Sequence, residues 1–85
     1  MIADGPLFLD GCDDAVVGWA VRCGQPAIVV YDHAKLVEKF MDDGMTEEEA
    51  HEWVSFNIEG AWVGKGTPAV MYRGDADEAR EALGE

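Results

Sequence analysis

Apolar residues in this chain fall in short runs separated by glycine, proline and acidic clusters, and their spacing changes from run to run. Pro6-Leu-Phe-Leu9 reads as an edge strand or an entry segment. Asp10-Gly-Cys-Asp-Asp14 follows with helix-start character: Asp10, or Asp13 for a later start, would be the N-cap and place acids in the first turn. Val16, Trp19, Ala20 and Cys23 recur at helical spacing and Gly24 supplies a stop. This predicts a first helix, with Gly18 as an unfavourable interior residue marking close approach of another backbone. Ala27-Ile-Val-Val-Tyr31 is β-branched and apolar on both faces, the signature of a central strand.

Asp32 then caps a helix from about His33 to Asp43 that turns Leu36, Val37 and Phe40 inward and ends at Gly44. Thr46-Glu-Glu-Glu49 is a capping box, with Met45 placed to staple against Ala50. Ala50, Trp53, Val54, Asn57 and Ile58 continue as one helical stripe predicted to be buried. Gly64-Lys-Gly-Thr-Pro68 is a loop, Ala69-Val-Met-Tyr-Arg73 a second strand, and Asp75 to Leu83 a short charged helix that frays for want of apolar anchors. The fold expected is α+β, or small α/β. Two to three short strands form a single layer of sheet, Ile28–Tyr31 pairs with Val70–Tyr72, and three to four helices pack Trp19, Leu36, Phe40, Trp53 and Ile58 on it. Residues 1–85 make one small acidic domain, with 74–85 as its frayed C-terminal helix.

Length and charge narrow the function. A chain of 85 residues buries only roughly 60% of its unfolded surface. Its 48% hydrophobic content nevertheless suits a folded domain. Eighteen Asp and Glu against six Lys and Arg give a net charge of −12. Such a surface repels phosphate backbones, so direct nucleic-acid binding is not expected. The acidity serves either solubility or docking on a basic partner. Two cysteines, Cys12 and Cys23, make no disulfide framework; on one helix they would be about 16 Å apart. They read as reduced thiols. No signal peptide or bilayer-spanning run is evident, which places the chain inside a cell and off the membrane.

Chemical motifs are sparse. Gly64-Lys65-Gly66-Thr67 lacks the spacing and the strand-then-helix order of a phosphate loop and reads as a helix-to-strand turn. Asp10, Asp13 and Asp14 lack calcium-loop spacing. His51-Glu52 lacks a second histidine at the zinc-peptidase spacing. No catalytic residue, cofactor or metal is assigned. His33, just past a strand end, forms a nucleophile–base pair with Cys23 if the two meet; otherwise His33 opens a helix and Cys23 is a small core residue. Asn57 in an apolar stripe calls for a hydrogen-bond partner, expected in the backbone of the 60–68 loop. Trp62 either closes the core or stands exposed as an interface anchor.

Val30-Tyr-Asp-His-Ala-Lys-Leu-Val-Glu38, Gly44-Met-Thr-Glu-Glu-Glu-Ala50, Phe56-Asn-Ile-Glu-Gly-Ala-Trp-Val-Gly64 and Thr67-Pro68 occur in an order that resembles a widespread family of small phage-encoded proteins. The family pattern is a strand ending Tyr-Asp, two short helices, an Asn-x-x-Gly-Ala-aromatic-x-Gly segment and a Thr-Pro. Asp10-Gly-x-Asp-Asp-Ala followed by Gly18 also fits. The resemblance spans about residues 8 to 72, and Asp75–Glu85 looks like an extension to it. The family has no established activity, so the resemblance implies a setting: a phage gene product in a bacterial host cytoplasm. The matches at Asn57, Gly60, Gly64, Thr67 and Pro68 imply a loop of fixed shape.

Composition and resemblance together lead to a non-enzymatic accessory protein that binds a host or phage protein with a basic surface. Asp42, Asp43, Glu47, Glu48 and Glu52 form the expected face, with Trp62 as an apolar anchor, and the sharpest version inhibits a nucleic-acid-handling host factor. The alternatives are a small-ligand binder or small enzyme built on Cys23 and His33, and a structural or assembly component of the phage. A homo-oligomer would add buried surface to so short a chain.

Overall fold

The centre of the molecule is β2, Ile28–Asp32, the run with apolar residues on both faces. In the computed structural model, which describes residues 6–84, it is flanked on both sides. β1, Val16–Ala20, pairs with it antiparallel, and β3, Ala69–Met71, pairs with it parallel, giving the order β1-β2-β3. Between β2 and β3 the chain forms α1 (His33–Asp42), α2 (Glu47–Val54) and a π-helical turn (Ser55–Glu59), before α3 (Ala76–Ala82) follows β3. The fold is thus a small α+β domain with one three-stranded sheet, as expected from the sequence.

Local signals account for the helices. The Asp32 side chain accepts from the Ala34 N–H and starts α1. At α2 both halves of the capping box are made, Thr46 Oγ1 accepting from Glu49 N–H and Glu49 Oε1 from Thr46 N–H. Asp75 and Glu78 make the same box at α3, so this charged helix has a defined start although all its residues are exposed.

The core lies between one sheet face and the α1–α2 pair. Val29 and Tyr31 point down from β2 onto Leu36, Val37, Ala50 and Val54, with Cys12 and Ala15 closing one end. Tyr31 is fully buried, and its hydroxyl accepts a 2.7 Å bond from Leu9 N–H. Leu7 N–H bonds the Gly66 carbonyl. The entry segment is therefore pinned at two points without becoming a strand.

Three expectations are corrected. Residues 10–23 do not form a helix: a 3-10 turn at Asp13–Ala15 leads into β1. Val16 and Val17 are β-branched, and β2 offers a free edge to pair with, which outweighs the helical spacing of Trp19, Ala20 and Cys23. Gly18 marks no close approach, since a Cβ there would meet nothing within 4 Å. Its φ of 151° serves the bulge in β1 between Val16 and Gly18. Second, Trp19 and Trp53 are not packed on the sheet, being 77% and 43% exposed. Trp19 sits opposite Val29 in the β1–β2 register and so points to the helix side, beyond the reach of the helices. Third, Asn57 lies outside the buried stripe. The π turn widens the helix after Val54, so only Ala50, Val54 and half-buried Ile58 stay inward.

Extents of 38 × 36 × 20 Å describe a thin two-layer slab. Its radius of gyration, 13.7 Å, exceeds the about 12 Å of a compact chain this long. The opposite sheet face carries Gly18, Ala20, Ile28, Val30, Ala69 and Met71, all half-buried.

Two substitutions measure what holds the slab together. Leu36→Ala, under the sheet, should lower unfolding free energy by about 2–5 kcal/mol. Tyr31→Phe, which strands the Leu9 N–H, should cost about 1 kcal/mol, both read from urea denaturation. A Tyr31→Phe loss above the Leu36→Ala loss would contradict this core.

Candidate functional site

The carboxyl ends of the parallel strands β2 and β3 collect the polar side chains that the core does not use. Asp32, 3% exposed, closes β2 and meets Arg73, which follows β3, with Nη2 to Oδ2 at 3.0 Å. One position further on, the His33 ring stacks on Tyr72 at 4.2 Å and lies 5.1 Å from His51 of α2. Glu59, on the last residue of the π turn, stands 3.7 Å from His33 Nε2 and accepts a hydrogen bond from the Tyr72 hydroxyl. Partial burial and the Glu59 carboxylate push the Tyr72 phenol up to about 12. The cluster thus ties α1, α2, the π turn and β3 to one corner. Among the described residues no group of three or more His, Cys, Asp or Glu is arranged to hold a metal ion.

Cys23 does not reach this corner. It is exposed in the 21–27 connection at the Ile28 end of β2, while His33 follows the Asp32 end. Those ends are about 13 Å apart along the strand, too far for a thiol–imidazole bond. The expected Cys23–His33 pair is therefore withdrawn, and the small core cysteine is Cys12. Burial pushes its thiol up from the ordinary range.

The acidic residues expected to form one face do not gather in one place: Asp42 and Asp43 line one groove, Glu52 another, and Glu47 and Glu48 neither. Asp42 and Asp43 line a groove between α1 and the N-terminal turn, where Lys35 and Lys39 also stand, and Lys39 Nζ pairs with Asp43 at 3.0 Å. Glu52 lines a second groove with Met45, Glu49, Trp53, Phe56 and Asn57. Glu47 and Glu48 are exposed on the first turn of α2. In the second groove Trp53 rests one side on Phe40, ring centroids 5.9 Å apart, and Phe56 is 78% exposed. Glu49 is committed to its capping box, whereas the Glu52 carboxylate, beside two aromatic rings, has no ion-pair or hydrogen-bond partner among the described residues. Sequence reasoning placed Trp53 in the buried stripe, because helical periodicity marks a stripe without saying how far the sheet covers it, and gave Phe56, outside that stripe, no role.

Trp62 is 74% exposed, the anchor-like alternative of the two considered. The loop shape is fixed by Thr67, whose Oγ1 accepts from Val63 N–H at 2.9 Å and donates to the Gly64 carbonyl at 2.6 Å. Gly64 has φ 114°. Gly60 closes the π turn, where a Cβ would sit 3.1 Å from the Ser55 carbonyl oxygen. Pro68 leads into β3 and lines the hollow beside Trp62. Asn57 takes no part: its Nδ2 donates to the Trp53 carbonyl one turn back, at 3.2 Å, rather than to the loop. No helix among the described residues is long and apolar enough to cross a membrane. Comparison with protein-family models, curated proteins and solved structures finds no match.

Two solution measurements follow from these environments. Both tyrosines are raised, so the neutral phenol is favoured in the folded protein. Each contribution to stability is complete below the ordinary phenol pKa of about 10 and is lost as pH rises through the raised value, which for Tyr72 is about 12. Tyr72→Phe should flatten the alkaline loss, leaving the part due to Tyr31; an unchanged alkaline limb would refute the assignment. An aromatic disulfide reagent should label Cys23 at once and Cys12 only as the protein opens, whereas equal rates would contradict the burial of Cys12.

Proposed function

We propose that this protein is a non-enzymatic interaction module that docks on a partner protein through the acid-rimmed aromatic groove of α2 and the π turn. The observation that carries the reading is the exposure of Trp53 and Phe56 beside the carboxylate of Glu52. Aromatic rings of this kind are the commonest energetic anchors of protein interfaces. Their carboxylate border selects a partner that brings Lys or Arg, each able to pair with Glu52 or rest on the Trp53 face. The net charge of −12 steers such a partner in from a distance.

The resemblance to small phage-encoded proteins supplies the setting: a bacterial cytoplasm, with a host or phage protein as partner. A host factor whose basic surface normally handles nucleic acid fits this chemistry best, and occupying that surface would inhibit it.

Affinity capture from bacterial lysate at low and high salt, with variants run in parallel, tests the reading. A stoichiometric partner should be retained at low salt and released as salt rises. It should be lost on Glu47→Lys, Glu48→Lys and Glu52→Lys together, and weakened about 30-fold by Phe56→Ala, an exposed ring whose removal spares the core. Capture unaffected by both variants would overturn the proposal.

A further inference from the structure

We propose that the groove around Trp62 is a second binding site, independent of the α2 groove, that takes a mononucleotide-sized ligand: a flat ring stacked on Trp62, with its phosphate held by Arg22 and Lys65.

The 60–68 loop and the 21–27 connection meet over Ile28, and Trp62 stands between two hollows that share Ile28, Trp62 and Thr67. The larger, about 370 Å³, is walled by Pro68 and Val70 and ends at Glu59. Its size lies at the lower end of the about 300–1,000 Å³ usual for small-ligand sites. The smaller, about 100 Å³, is bordered by Pro26, Gln25, Arg22 and Lys65.

Charge identifies the ligand's polar end. Among the described residues Lys39, Arg73 and Arg80 are ion-paired, and Lys35 lies in a groove with Glu38, Asp42 and Asp43. Arg22 and Lys65 instead converge on a hollow that no carboxylate lines, in a chain of net charge −12. Two cations with no ion-pair partner among the described residues suit one phosphate group, with Arg supplying a fork of donors and Lys a point charge. The exposed indole beside them is a stacking platform for a base. Thr67 and Gly64 hold the loop in shape before any ligand arrives, which lowers the cost of ordering it. At the far end, Glu59 keeps acceptor sites beyond the Tyr72 bond for ring N–H groups. A polynucleotide is disfavoured, because two cations cannot offset the repulsion between its backbone and the acidic surface.

Adenosine monophosphate is the probe, titrated into isotope-labelled full-length protein and followed by NMR. Shifts should concentrate at the Trp62 indole N–H and at Arg22, Ile28, Lys65 and Thr67. Arg22→Ala with Lys65→Ala should weaken binding about tenfold or more, as should replacing the probe with adenosine. Trp62→Ala should remove binding. All three side chains are exposed, so circular dichroism should show the variants folded. Absence of shifts in this groove at millimolar probe overturns the proposal, as does equal affinity for adenosine. A short oligonucleotide binding more tightly than the monophosphate also overturns it, and so does an acidic peptide that occupies the same residues at lower concentration, which would make the groove a protein interface.

Discussion

Asp32 occupies the position on which the chain's path depends. It ends the central strand, starts α1 by accepting from Ala34 N–H, and holds Arg73 after β3. A carboxylate at 3% exposure is costly to bury alone, and the guanidinium together with the helix N-terminus offsets that cost. One side chain therefore fixes where strand turns to helix and how far β3 advances along β2. The polar corner of His33, His51, Glu59 and Tyr72 stands directly on this clamp.

The slab geometry accounts for the surface. One three-stranded sheet with two helices on one side provides a core centred on Tyr31, Leu36 and Val54, and little else is fully enclosed. Large side chains that neither layer covers stay largely in water: Trp19 and Trp62 off the helices, and Trp53 and Phe56 on the outer side of α2 and the π turn. Exposed aromatics on a small domain carry a solvation cost that a bound partner or ligand would relieve. The two proposed sites use different members of this set, and their separation lets one be disabled without the other.

What was legible in the sequence was mostly local. The apolar run at Ile28–Tyr31, the Asp32 cap and the Thr46 box specify themselves through neighbouring residues, and each appears at the expected place. The segment from Asp10 to Cys23 was not legible, because Val16, Trp19, Ala20 and Cys23 satisfy helical spacing while only pairing with β2 selects a strand. The site was less legible than the fold. Helical periodicity assigned Trp53 and Asn57 to the core, but the sheet does not extend over Trp53, and the π turn, which no residue type announces, takes Asn57 off the stripe. Likewise nothing in the order of residues brings Arg22 and Lys65 together; two loops from different parts of the chain must first meet over Ile28.

That π turn has a further consequence. Its bond from Gly60 N–H to the Ser55 carbonyl spans five residues where an α-helix spans four, so the turn holds one residue more than regular winding would accommodate. It has the form of a single-residue insertion retained in a helix. Excising one residue between Ser55 and Ile58 would restore regular winding and leave Glu59 near its present side of the axis, because the turn already absorbs the extra residue. The helix itself would gain from the repair, and the corner would keep the acceptor that Glu59 offers to Tyr72.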